Sequence, residues 1–323
     1  MIMKKYSLFG AIGLLIGILL TGCSEAAKEE TDNPEVLQVY TTVYPLQYFT
    51  EAIGGENVEV TSIYPPGADE HTFEPSQKDM MKIADADLFF YVGLGLEGFV
   101  EKAKGSLENE QVILHGAGED LHIEVPQEEE HDDEHTDEHS EDEEHHDHGG
   151  IDPHVWIDPL YAKELAESIK EQLSKKLPAH SETFEENYLK LAADLDQLDT
   201  DFNKLAETAK HNEIIVAHSA YGYWENRYGI HQLSISGLST TSEPSQKELQ
   251  NLIKHAKEAD LKYVISEQNY QSKLADIVQK ELGAKSLTLH NLSVLTKEDI
   301  ANNETYFSIM EKNLQTLEKA LNE

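Results

Sequence analysis

Glu182–Lys210, ETFEENYLKLAADLDQLDTDFNKLAETAK, places Phe184, Tyr188, Leu191, Leu195, Leu198, Phe202 and Leu205 at intervals of three or four residues. That period lines one face of an α-helix with apolar side chains. At a rise of about 1.5 Å per residue the helix is about 43 Å long, more than one small domain requires. Its length predicts a stiff spine between two folded units. Pro178 stands before it and ends another helix, expected from Pro159 to about Leu177, where proline suits the first turn.

The sequence on both sides of the spine alternates between strand and helix signals. Upstream, strands are expected at Val36–Val43, Val58–Ile63 and Leu88–Val92. Helices are expected at about Leu46–Ile53 and from Ser76, an N-cap with Asp79 three positions on, through Ala84. Downstream, strands at Glu213–Ala217, Gln232–Ile235, Tyr263–Ser266 and Ser286–Leu289 alternate with helices at Tyr221–Arg227, Ser245–Ala259 and Ser272–Leu282. A helix from about Thr305 to Leu321 closes the chain. Such alternation predicts an α/β fold of two lobes, each with a mainly parallel sheet, joined by the long helix with a site in the cleft between them. The expected boundaries are 36–177 for the first lobe, 178–211 for the connector and 212–323 for the second lobe. No internal repeat is visible in the sequence.

Lys4 and Lys5, the uncharged, mainly apolar run Tyr6–Leu20 and the segment Leu20-Thr21-Gly22-Cys23 resemble a bacterial lipoprotein signal. Residues 1–22 are therefore expected to be a signal peptide, Cys23 the lipidated residue and 23–35 a polar tether. That address is the outer face of a bacterial cell membrane, with a Gram-positive surface expected. Cys23 is the only cysteine, so a lipidated Cys23 leaves imidazole and carboxylate as the metal ligands available. A net charge of −37 opposes binding to nucleic acid and favours accumulation of cations.

Between His122 and His148 the chain carries seven of its 16 histidines, fourteen acidic residues and no lysine or arginine. A run of this composition cannot bury enough apolar surface to offset the entropy of ordering it. It is expected to be a solvated loop, 122–149, with weak metal-binding capacity in His122, His131, His135, His139, His145, His146 and His148. More specific candidates stand outside it. His71 lies in the turn Pro65–Pro75, His154 in Asp152-Pro153-His154-Val155-Trp156 and His218 directly after a strand, in Ala217-His218-Ser219-Ala220-Tyr221-Gly222-Tyr223. All three can reach the carboxyl ends of strands, where open parallel sheets bind ligands. Three neutral imidazoles and one oxygen suit tetrahedral Zn²⁺. His115, His180, His211, His231, His255 and His290 read as surface or capping residues.

These three motifs together, the acidic histidine run before Asp152 and the stretch Val36–Leu321 as a whole resemble the zinc-specific substrate-binding lipoproteins of bacterial ABC importers. The resemblance implies His71, His154 and His218 as ligands to one tightly bound Zn²⁺ cargo ion. It also implies a monomer that delivers the ion to permease subunits served by a separate ATPase. Manganese-binding relatives usually carry Glu where His218 stands. Relatives often supply a carboxylate as fourth ligand where this chain has Ser293, so water or another exogenous ligand, Glu267 or a loop histidine is left to complete the shell. Asp69, Glu70, Glu74, Asp152 and Asp158 are candidates to hold the outer imidazole nitrogens, and Trp156 and Tyr223 to pack the cleft walls. Manganese or broad divalent-metal binding, with or without adhesion, is the alternative within the fold. A zinc-dependent hydrolase is the alternative of another class, although no His-Glu-x-x-His pair is present.

Overall fold

A computed structural model of the chain describes residues 36–123, 151–270 and 272–323. The expected signal, Cys23 and every loop histidine except His122 lie outside these residues. His122 is exposed.

The first lobe runs β1 (Leu37–Thr41), α1 (Tyr44–Gly54), β2 (Val58–Ser62), α2 (Gln77–Ala84), β3 (Leu88–Tyr91), α3 (Val100–Leu107) and β4 (Ile113–Gly116). Then follow α4 (Pro159–Lys176) and the long α5 (Ser181–Thr208). The second lobe holds β5 (Glu213–His218), α6 (Gly222–Tyr228), β6 (His231–Ser236), α7 (Gln246–Glu258), β7 (Tyr263–Glu267), α8 (Lys273–Leu282), β8 (Lys285–Leu289), α9 (Lys297–Ala301) and α10 (Tyr306–Asn322). Both described sheets are four-stranded and parallel, ordered β2-β1-β3-β4 and β6-β5-β7-β8. The two lobes thus share one strand order, a repeat of architecture without a visible repeat of sequence. In each, the order reverses beside the first strand, which makes the crevice beyond β1/β3 and beyond β5/β7 the place for a ligand.

Local chemistry sets the helix starts. Ser76 and Asp79 form a reciprocal capping box on α2, as do Ser245 and Glu248 on α7. Asp158 accepts from Leu160 N and Tyr161 N to cap α4, with Pro159 in the first turn. Gly229 and Gly283 end α6 and α8 with φ of 68° and 64°, a left-handed conformation that costs glycine least.

The periodic face of α5 is buried throughout, from Phe184 to Leu205. Asn187 donates to Ile53 O of α1, while Phe202 packs on Trp224 and Tyr228 of α6 at ring-centroid distances of 5.1 Å. The helix is therefore glued to the first lobe at one end and to the second at the other. A single hydrophobic core takes in both lobes, and a smaller one lies between the second sheet, α7 and α8. Ile214 and Val216 face the large core; Ile215 and Ala217, on the opposite pleat, face the small one. Both faces of β5 are thereby dry, which fixes its register and the direction of His218 at its end.

Candidate metal centre

His71, His154 and His218 converge: one ring nitrogen from each lies within 4.8 Å of the others. His71 Nε2 is 3.2 Å from His154 Nε2 and 3.3 Å from His218 Nε2. Tetrahedral zinc with Zn–N bonds of about 2.0–2.1 Å holds its nitrogens about 3.3–3.4 Å apart, close to both of these distances. His154 and His218 are fully buried, and His71 reaches them from a partly exposed turn.

The outer nitrogens settle which tautomers are present. His154 Nδ1 lies 2.7 Å from Asp152 Oδ1, and His218 Nδ1 lies 2.6 Å from Glu267 Oε1. A carboxylate accepts, so each Nδ1 carries a hydrogen and each neutral ring presents a lone pair at Nε2; His218 Nε2 also lies 3.3 Å from Leu238 O, an acceptor that a proton on that nitrogen would meet. His71 can donate to one of those lone pairs at most, which leaves a point onto which nitrogens converge and a cation fits.

Register explains the Glu267 contact. β5 and β7 pair Ile215 with Val264 and Val216 with Ile265, an offset of 49 that carries His218 opposite Glu267 at the ends of adjacent strands. The other Glu267 oxygen, Oε2, accepts from Asn291 Nδ2 at 2.8 Å. Both oxygens of Glu267 are thus held by protein groups. Ser293, also buried, donates its hydroxyl to Asn291 Oδ1 at 2.9 Å.

The remaining candidates divide by what they touch. Asp69 accepts from His71 N and Thr72 N to fold the turn, and Thr240 Oγ1 of the second lobe donates to it at 2.8 Å. Glu70 is buried and accepts from Asn291 Nδ2 at 2.9 Å. Glu74 is exposed, 3.9 Å from Lys102. Asp158 pairs with Arg227 of α6 besides capping α4. Trp156 packs edge-on against His154 at 5.4 Å and donates to Asn291 O, while Tyr223 donates to Asp152 O at 2.5 Å. Trp224 Nε1 and Tyr306 OH donate to Ile157 O and Trp156 O. The segment bearing His154 is therefore stitched to the second lobe although it leads into α4. Sequence reasoning did not find Asn291, which no motif marks.

Among the other described histidines, His115 bonds Ser168, His231 bonds Glu225, His255 bonds Glu213 and His290 bonds Asp299. None joins the cluster.

Burial, then the two facing imidazoles, lower the His71 pKa to about 3. For His218 burial acts against the cation, but the charge and hydrogen bond of Glu267 outweigh it and the net shift is upward. Burial and then the charge of Glu267 raise the pKa of Glu70.

The sequence matches the family described as "ZnuA: Zinc-uptake complex component A periplasmic" over residues 39–320. It is 36% identical over 292 residues to the zinc-binding protein AdcA of Streptococcus pyogenes serotype M3, covering 87% of this chain and 55% of that protein. The chain thus spans about half the length of the AdcA relatives it matches. It is 34% identical over 319 residues to the high-affinity zinc uptake system protein ZnuA of Bacillus subtilis, covering 98% of each. The Zn(II)-bound ZnuA-like domain of Streptococcus pneumoniae AdcA superimposes with a TM-score of 0.72 at 33% identity, over 89% of this chain and 100% of that one. With a match over nearly all of its folded length, the chain belongs to the ZnuA family of zinc-uptake components.

Proposed function

We propose that the protein is an extracytoplasmic carrier that captures one Zn²⁺ ion with His71, His154 and His218 and delivers it to an ABC permease powered by a separate ATPase. The convergence of three imidazoles, with His71 Nε2 within 3.2 and 3.3 Å of the other two, supports this reading. An all-imidazole cluster favours zinc over manganese, which prefers oxygen. Glu267 acts on the ion by orienting His218, and an exogenous ligand completes the shell. The carrier is a monomer tethered to the outer face of the membrane through lipid at Cys23. A carrier needs no activated nucleophile, and family membership supports that role over the hydrolase alternative.

Calorimetry with Zn²⁺ and Mn²⁺ tests the assignment. Wild type should bind one zinc tightly and manganese far more weakly. H71A, H154A and H218A should each lose tight zinc binding. Unchanged one-to-one binding in these variants, or equal affinity for manganese, overturns it.

The histidine run has a separate role in this proposal: it gathers zinc weakly outside the cleft. Deleting residues 127–149 should remove low-affinity stoichiometry and leave one tight site. Loss of the tight site would instead make the run a supplier of the fourth ligand.

A further inference from the structure

Asn291 lies just beyond β8, 3% exposed, and every polar atom of its side chain is engaged. Its Oδ1 accepts from Ser293 N at 3.1 Å, from the Ser293 hydroxyl at 2.9 Å and from Gln268 Nε2 at 2.9 Å. A backbone N–H only donates, so the contact with Ser293 N fixes which end of the amide is oxygen. The NH₂ end must then face the two buried carboxylates, where it donates to Glu70 Oε1 at 2.9 Å and Glu267 Oε2 at 2.8 Å. Its backbone carbonyl accepts from Trp156 Nε1 at 2.7 Å, and Trp156 packs on His154.

We infer that Asn291, locked in orientation by Ser293, is a positioning residue for the metal centre: it bridges Glu70 and Glu267 and thereby aims His218 Nε2 at the bound ion. The inference rests on the zinc-binding reading above. An unpaired Glu267 Oε2 would be a buried acceptor without a donor, and the Asn291 N–H supplies that partner. The same NH₂ group donates to Glu70 and to Glu267, so the two carboxylates share one neutral donor. The Ser293 hydroxyl therefore serves the centre by orienting an amide, two bonds removed from the imidazole.

The test measures zinc affinity by chelator competition in full-length N291D, N291S and E267Q, with H154A as a parallel control. N291D keeps the shape of the side chain but turns its donors into acceptors, so it should lose at least as much affinity as N291S. Both losses are expected at about 10–100-fold. If Asn291 acts through Glu267, adding N291S to E267Q should change affinity by less than about threefold beyond E267Q alone, a non-additivity that a general packing role does not produce. Cobalt-loaded N291S should also show shifted d–d bands, since the ligand field changes when His218 is misaimed. Wild-type affinity in N291D and N291S, or full additivity with E267Q, overturns the proposal. Should neither Asn291 variant fold, the double variant S293A/Q268A decides, since it removes both side-chain donors to Asn291 Oδ1: a loss of about two- to tenfold is expected, and none at all overturns it. H154A with tight zinc binding intact overturns the carrier reading itself; loss in H154A with none at Asn291 overturns this inference alone.

Discussion

His218 is pulled by two partners at once. Glu267 holds its Nδ1–H at 2.6 Å and stabilises positive charge on the ring, while the cluster requires its Nε2 free. A folded pKa raised above the ordinary imidazole value of about 6.5 contributes stability to the metal-free protein. That stability is fully present below about pH 6.5 and is lost as pH rises through the higher folded value. His71 has the opposite sign: lowered to about 3, it contributes stability above about pH 6.5 that is lost as pH falls toward 3, and it stays neutral across the physiological range. Between these two, proton competition with zinc falls on His218. Zinc affinity should decline as pH drops through the raised His218 value, by up to about tenfold per pH unit for one displaced proton. In E267Q the onset of this decline should move to lower pH and affinity at pH 8 should fall by about 10–100-fold. Calorimetric titrations from pH 5 to 8 check both, and an E267Q profile superimposable on wild type would refute the assignment of the pair.

At the scale of elements, the start of α6 presses on the centre. A Cβ at Gly222 would lie 2.9 Å from Asp152 Oδ2, the carboxylate that holds His154. With Gln232 Nε2 also only 3.2 Å from that Cβ, G222A should fold with a loss of stability of about 1 kcal/mol, and bind zinc several-fold more weakly. Thermal melts of the metal-free protein together with zinc titrations separate the two effects. F202A on α5 should behave in the reverse way, costing about 3–5 kcal/mol in denaturant unfolding because Phe202 joins the spine to Trp224 and Tyr228. The spine was legible because eight buried positions repeat at helical spacing, and most strands because β-branched runs end at glycine, proline or a cap. By contrast, α3 and β4 left no readable pattern: Gly105 interrupts a helix of 8 residues, and β4 is an edge strand of 4 residues with a half-buried histidine. The three clustered histidines stood out by their turns, and the Asp152–His154 contact by its two-residue spacing. Glu267 on His218 needed the inter-strand register, which sequence periodicity does not contain. Asn291 needed side-chain directions from both lobes.

In the whole molecule the core runs through both lobes, and Arg227, Tyr223, Trp224 and Tyr306 of the second bind the segment that carries His154. Zinc should therefore stabilise the protein as one unit rather than one lobe. At free zinc about a thousandfold above the dissociation constant the gain is about 4 kcal/mol, expected to raise the melting temperature by about 8 °C in a single shifted transition that a chelator reverses. Two transitions, only one of them responsive to zinc, would contradict this. The tethering of the imidazoles also has a kinetic side. With His154 and His218 buried and each held at Nδ1 by a carboxylate, two of the three rings have little freedom to turn, which limits the rearrangement that capture requires. Loading should then be fast, and tightness expressed chiefly as slow release. Loss of Asp152 or Glu267 should therefore be felt in how long the ion stays more than in how fast it enters.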